Sequence, residues 1–182
     1  MARPQFGTSA TQAACLFEVL GKEKAEAHYR GLKANGIQIL AGNKDVAVAV
    51  GQGRAPDGRP VAVGVTDTDD AMEEIRAGRP VSIIFPDQDD LGTLFIPNSV
   101  AIIKGCPNPD GARQLVDHLL SGEVEIALMK AGWHFPMRRG QFSEIPAPEL
   151  KGGDRRMNVD FEKAADQWEG VQRFLTQEFA RP

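Results

Sequence analysis

Apolar residues along this chain fall into two alternating rhythms, one helical and one extended. Gly7-Thr8-Ser9-Ala10-Thr11 is a small-residue turn that leads into a helical pattern ending near residue 20. A second helix is predicted over 22–34, stopping at Asn35-Gly36, because such residues tolerate the left-handed backbone that closes a helix. Ile37-Gln38-Ile39-Leu40 predicts a strand, Gly42-Asn43 opens a helix through 50, and 51–60 is a turn-rich loop. A strand over 61–66, a helix over 69–77 and a strand over 80–85 follow. Strands alternating with helices predict a mostly parallel sheet covered on both faces.

The second half reads differently. Pro86-Asp87-Gln88-Asp89-Asp90 is a surface turn, and the extended stretch 93–103, broken by Pro97, is longer than a typical strand. A crossover between two lobes accounts for that length. Asn108-Pro109 starts a helix, with a cap residue followed by proline at the first helical position. Another helix runs from near Ser121 to Gly132, and 133–154, rich in Pro, Gly and Arg, reads as loop. The last helix carries Phe161, Ala164, Ala165, Trp168, Val171, Phe174, Leu175 and Phe179 on one face, a stripe suited to core packing rather than to a cofactor.

Composition narrows the function. At 182 residues, 42% hydrophobic and 25% charged, the chain can bury a core as one large domain or two small lobes. A formal net charge of −4, with only Arg138-Arg139 and Arg155-Arg156 as basic doublets on solvated surface, excludes a nucleic-acid or polybasic membrane face. No run approaches the roughly 18 apolar residues of a membrane span. Met1 to Gly7 lacks the apolar core of a signal peptide, so the chain taken alone reads as cytosolic. Cys15, in Ala13-Ala14-Cys15-Leu16-Phe17, is expected to be a buried free thiol, and Cys106 lies in a turn. None of the three histidines stands at metal-ligand spacing with another, and no cysteine cluster indicates zinc.

The chemistry concentrates at Val61-Ala62-Val63-Gly64-Val65-Thr66-Asp67-Thr68-Asp69-Asp70. A β-branched run ends in three carboxylates within four residues, just before a helix. In open α/β sheets ligands sit at that end of a strand, and carboxylates there can meet a metal, an amine or a hydroxylated solute. A helix N-cap explains one such Asp but not three. Two other junctions share the theme. Thr8, Ser9, Ala10 and Thr11 offer backbone N–H groups and hydroxyls for an anion, and Asn43 with Lys44 adds an amide and an ammonium. Each alone is an ordinary helix start. At one sheet edge the three would form a concave polar site, with Thr8, Ser9, Ala10, Thr11, Asn43 and Asp67 holding ligand or anion, and Asp69 and Asp70 holding ligand or metal.

An ordered set of motifs spans nearly the whole chain. Phe6-Gly7-Thr8-Ser9-Ala10-Thr11, Leu32-Lys33-Ala34-Asn35-Gly36, Ala41-Gly42-Asn43-Lys44 and Gly64-Val65-Thr66-Asp67-Thr68-Asp69-Asp70-Ala71 come first. Phe85-Pro86-Asp87-Gln88, Gly92-Thr93-Leu94-Phe95-Ile96-Pro97-Asn98, Lys104-Gly105 and Asp160-Phe161-Glu162-Lys163-Ala164-Ala165 follow. Together they resemble the C-terminal half of the solute-binding proteins of bacterial ABC importers, in the periplasmic ferric-ion-binding family. The resemblance implies an α/β, type II periplasmic-binding-protein-like fold: one nearly complete three-layer α/β/α lobe plus part of the other. It places 1–96 in the second, ligand-binding lobe, 97–146 in a segment returning to the first lobe, and 147–182 in a helical segment packed on the second, with the N-terminal half of the first lobe missing. It implies a periplasmic, non-catalytic receptor that works with a membrane permease, without nucleic acid, resident cofactor or membrane insertion.

Ferric-binding relatives follow the Gly-containing strand with a pair of tyrosines, whereas this chain has Asp69 and Asp70, and its single tyrosine, Tyr29, lies in a helix. Ferric ion, a phosphorylated or phosphonate compound and an amine are all candidate solutes. With half of a two-lobed site, the chain is expected to bind weakly and to self-associate through apolar residues such as Leu119, Leu120, Ile126 and Leu128. Two other classes compete. Asp67-Thr68-Asp69 resembles the Asp-x-Asp signature of haloacid-dehalogenase-type phosphatases, in which Asp67 would attack phosphorus and Asp69 would handle the proton with Mg²⁺. Lys104 follows an apolar run as that chemistry requires, but no convincing acidic pair follows it. The effector-binding lobe of a transcriptional regulator is the other class, and no helix-turn-helix or basic segment supports it.

Overall fold

In the computed structural model, residues 1–132, 134–138, 152–153 and 155–179 are described. Eight helices are formed among them: α1 (Gly7–Leu20), α2 (Lys22–Ala34), α3 (Asn43–Gln52), α4 (Thr68–Arg76), α5 (Pro109–Leu119), α6 (Gly122–Gly132), α7 (Phe161–Asp166) and α8 (Trp168–Phe179). The expected helix starts and stops hold to within a few residues. Asn108 caps α5 by accepting the Gly111 N–H at 3.0 Å, with Pro109 at the first position.

The final helix is two helices rather than one. At Gln167 the backbone N–H turns to Ala165 O, while the side-chain amide donates to Lys163 O at 3.4 Å, the carbonyl a continuous helix would offer to the backbone. The break divides the apolar stripe. Ala164, Val171, Phe174 and Leu175 are buried, but Phe161, Ala165 and Trp168 are exposed.

The segments predicted as strands form no ladder among the described residues. Pairing is confined to isolated bridges, Ala2 with Leu40 and Thr93 with Arg156 in parallel and Arg54 with Pro60 antiparallel. The 37–40 segment is taken by the N-terminus: the Met1 ammonium donates to Gln38 O at 2.8 Å, Leu40 N–H to Met1 O at 3.0 Å, and Arg3 N–H to Leu40 O at 2.9 Å. A β-branched pattern marks a segment as extended, but a ladder also needs a partner backbone in register, which the segment itself does not supply. Val63, Val65 and Ile84 are correspondingly exposed.

The chain divides into two compact units, residues 1–96 with 152–182, and residues 97–151. The expected boundary at 147 and most of the 133–154 loop lie outside the described residues. In the first unit α1 packs against α2, α7 and α8, and α3 against α4. Its main core joins Ala13, Phe17, Ala25, Tyr29, Val171, Phe174 and Leu175. Phe17 stands 5.6 Å from Phe174, and the Tyr29 ring meets Phe174 and Phe179 edge-on. Cys15 is a fully buried free thiol whose pKa is pushed up to about 11, by burial first and by the Glu18 carboxylate second. Glu178 on α8 pairs with Arg30 and Lys33 on α2, fastening the rim of this core. In the second unit α5 and α6 pack together, α5 has no buried residue, and Leu119, Leu120 and Leu128 are exposed while Ile126 is half-buried.

Leu175 is fully buried where α8 meets α1 and α2. Leu175→Ala is expected to lower stability by about 2–5 kcal/mol, from lost transfer energy and the cavity left behind. Urea unfolding followed by circular dichroism measures this, against Leu120→Ala, which lies on the surface and should change stability by less than about 0.5 kcal/mol.

Candidate functional site

The site begins with a glycine. Gly64 lies in the 61–66 run, and a Cβ there would run into the Val46 side chain and stand 3.0 Å from Val50. A glycine inside a strand-like pattern often marks such close approach. Here it lets α3 lie directly on the segment, so that the first residue of α3, Asn43, arrives beside Asp67. Thr66 adds a second tie, its hydroxyl donating to Asn43 O at 2.9 Å. Gly64 and Thr66 are the positioning residues that the sequence motifs alone did not single out.

Asn43 is the hub. Its Nδ2 donates to Thr8 Oγ1 and to Asp67 Oδ2, both at 2.6 Å. Thr8 Oγ1 donates to the same Asp67 oxygen at 3.2 Å, and Ser9 Oγ donates to Asn43 Oδ1 at 3.4 Å. The structure thus brings Thr8, Ser9, Asn43 and Asp67 together from three helix starts. Ala10 and Thr11 lie outside this hydrogen-bond network. Ala10 is fully buried with its N–H donated to Phe6 O at 3.2 Å, and the Thr11 hydroxyl donates back to Gly7 O at 3.4 Å.

These helix starts have no side-chain caps. Phe6, Gly42 and Asp67 occupy the cap positions of α1, α3 and α4 in extended conformation, and none makes a side-chain cap bond. The first ladder bonds come from Ala10, Val46 and Ala71, which leaves the preceding N–H groups of each helix outside the ladder. Asn108, Ser121 and Asp160 do accept N–H groups at the starts of α5, α6 and α7, while α2, which follows Gly21, is uncapped like α1, α3 and α4. Asp67 could have served the same purpose, but its carboxylate is turned to Thr8 and Asn43.

The opposite charge stands next to these N–H groups. Carboxylate oxygens of Asp67, Asp69 and Asp70 lie within 4.8 Å of one another, the one such cluster among the described residues. Lys44 is drawn to Glu73, Nζ to Oε2 at 2.6 Å. The trio therefore offers hard oxygen donors for a cation, whether a metal ion or an ammonium group, beside backbone N–H groups suited to an anion. Tyr29 takes no part. It is buried in the aromatic core, its phenol held well above the usual range by burial and then by Cys15. Arg156, expected on solvated surface, instead lies with its guanidinium 4.4 Å over the Phe95 ring.

Comparison with known proteins gives distant relatives. The chain is 24% identical over 125 residues, 67% of its length, to proteins of Salmonella typhi, Salmonella typhimurium strain LT2 and Salmonella paratyphi A, each named "Putative 2-aminoethylphosphonate-binding periplasmic protein". This chain is similar to periplasmic binding proteins. The match covers 35% of each relative, so the chain spans about a third of the length of the curated relatives it matches. The names are those of binding proteins rather than enzymes, and none of them mentions iron. No family model matches the chain, and no solved structure matches it. No helix among the described residues is long and apolar enough to cross a membrane.

Crowding of the three acids has a pH signature. The Asp70 carboxyl is pushed up to about 6, by burial first and then by Asp69, Asp67 and Glu73, with Lys44 opposing. A carboxyl whose folded pKa is raised favours the folded state when protonated. Its contribution is complete below about pH 4 and is lost as the pH rises through about 6. Asp70→Asn is therefore expected to raise stability above about pH 7 by roughly 1 kcal/mol, after allowance for solvent screening of a half-buried group, and to change little below about pH 4. Urea midpoints measured across that range check both the sign and the window.

Proposed function

We propose that this chain is the ligand-holding part of an ABC-importer solute receptor, periplasmic and partnered by a membrane permease, with an α/β architecture of the type II binding-protein kind. The order of its elements, helices alternating with apolar extended segments, supports that architecture, and the periplasmic binding-protein relatives support the role. The solute we assign is a small zwitterion of the aminophosphonate class. One observation carries the assignment: the Asn43 carboxamide joins Thr8, at an uncapped helix start, to Asp67, at the edge of a carboxylate trio.

In this reading the phosphonate meets the free N–H groups at the starts of α1 and α3, and the Thr8 and Ser9 hydroxyls turn their protons from Asp67 and Asn43 toward it. The ammonium meets Asp69 and Asp70, while Asp67 fixes Asn43 in place. Binding needs no covalent step. A carboxylate is poorly suited to hold a phosphonate but well suited to hold an amine, so the two ends of the solute are told apart by charge. The Salmonella relatives are named for 2-aminoethylphosphonate, a compound with these two ends.

Calorimetric titration tests the assignment with 2-aminoethylphosphonate, ethylphosphonate, ethanolamine and ferric citrate. The zwitterion should bind at least about tenfold more tightly than either half-molecule, since each loses one charged contact worth about 1.5–3 kcal/mol. Asp69→Asn should narrow the preference over ethylphosphonate, and Thr8→Ala the preference over ethanolamine. Equal binding of ethylphosphonate and the zwitterion would refute the ammonium subsite. Ferric uptake with a visible charge-transfer band that disappears in Tyr29→Phe would restore iron as the solute, and Mg²⁺-dependent phosphate-ester hydrolysis lost in Asp67→Asn would favour the phosphatase.

A further inference from the structure

The polypeptide passes between the two compact units twice, after Ile96 and before Gly152. Within the first unit those two passages are joined side by side. Thr93 N–H donates to Arg155 O and Met157 N–H donates to Thr93 O, both at 2.9 Å, making the parallel bridge between Thr93 and Arg156. A single side chain spans both. Gln88 Nε2 donates to Thr93 Oγ1 at 2.8 Å and to Arg155 O at 3.0 Å, and its Oε1 accepts the Arg155 N–H at 2.9 Å. Thr93 Oγ1 passes the chain of bonds on to Pro86 O at 2.7 Å.

Packing seals the same junction. Gly92 has φ +84°, and a Cβ there would lie 2.8 Å from the Arg156 carbonyl carbon and 2.9 Å from Arg155 O and Met157 N, all backbone atoms that cannot yield. Arg156 covers Phe95, which stacks on Phe85 with ring centroids 6.4 Å apart and planes within 4°. Past the junction the character changes. Asn98, Ser99 and Gly152 are exposed, and Gly152 adopts φ +102°.

We infer that Gln88 is a positioning residue that fastens the two connections into one rigid pair on the first unit. The carboxamide suits this role because one planar group supplies both an acceptor and two donors. It satisfies the Arg155 N–H and O on one connection and the Thr93 hydroxyl on the other. The inference concerns the first unit alone and holds whichever solute the site takes.

Residue-resolved amide hydrogen exchange on the 182-residue chain tests it. In the unaltered protein Thr93 and Met157 should exchange at least about a hundredfold more slowly than Ser99 and Gly152. Gln88→Ala, and the similarly sized but apolar Gln88→Met, should each speed exchange at Thr93 and Met157 by roughly tenfold or more. The core amides of Val171 and Leu175 should keep their protection, which separates loosening of the pair from general unfolding. Exchange at Thr93 and Met157 as fast as at Ser99 in the unaltered protein overturns the inference without any variant. So does a variant that leaves both amides unchanged, or one that speeds them only together with Val171 and Leu175.

Discussion

One oxygen of Asp67 accepts hydrogen bonds from two other helix starts, and the arrangement around it follows from that commitment. Bound to Thr8 and Asn43, the carboxylate does not fold back to cap α4. Asn43, drawn to the same oxygen, presents its other side-chain end to Ser9. Three helix starts are thus held beside one another with their first N–H groups outside the ladders. At the starts of α1 and α3 the first N–H groups and the helix dipole point to the same place, the arrangement that suits an anion.

The cost appears in the acids. Burial first, and repulsion from Asp69 and Asp67 second, make Asp70 hold its proton to about pH 6. Functional sites often carry strain or repulsion of this kind, which the rest of the structure must offset. Here the offset comes from elsewhere in the first unit. The core of Phe17, Tyr29, Val171, Phe174 and Leu175 gathers around the other end of α1, away from the Thr8 turn. One helix therefore serves two purposes, anchoring through its later turns and presenting polar groups at its first.

Tyr29 and Asp69 show how residue type and placement answer different questions about the solute. The single phenol is in the aromatic core, where its ring packs against phenylalanines and burial disfavours its ionised form. The carboxylates instead lie half-buried at the start of α4.

Much of the local structure was legible in the residues themselves. Asn35-Gly36, Asn108-Pro109 and the apolar spacing of the last helical stretch marked helices because capping, proline geometry and the 3.6-residue repeat act within a few residues of one another. The carboxylates before α4 and the small residues before α1 were visible as chemistry for the same reason. Ladder formation along 37–40, 61–66 and 80–85, the break at Gln167 and the burial of Ala10 were not. Each depends on which backbone or side chain arrives from far along the chain, as when Met1 to Arg3 take the bonds of 38–40. The sequence by itself determined where every helix but α8 begins and which polar groups stand at the starts of α1, α3 and α4. Only the tertiary structure decided that Thr8, Asn43 and Asp67, up to 59 residues apart, share hydrogen bonds, because that meeting depends on the close approach that Gly64 permits.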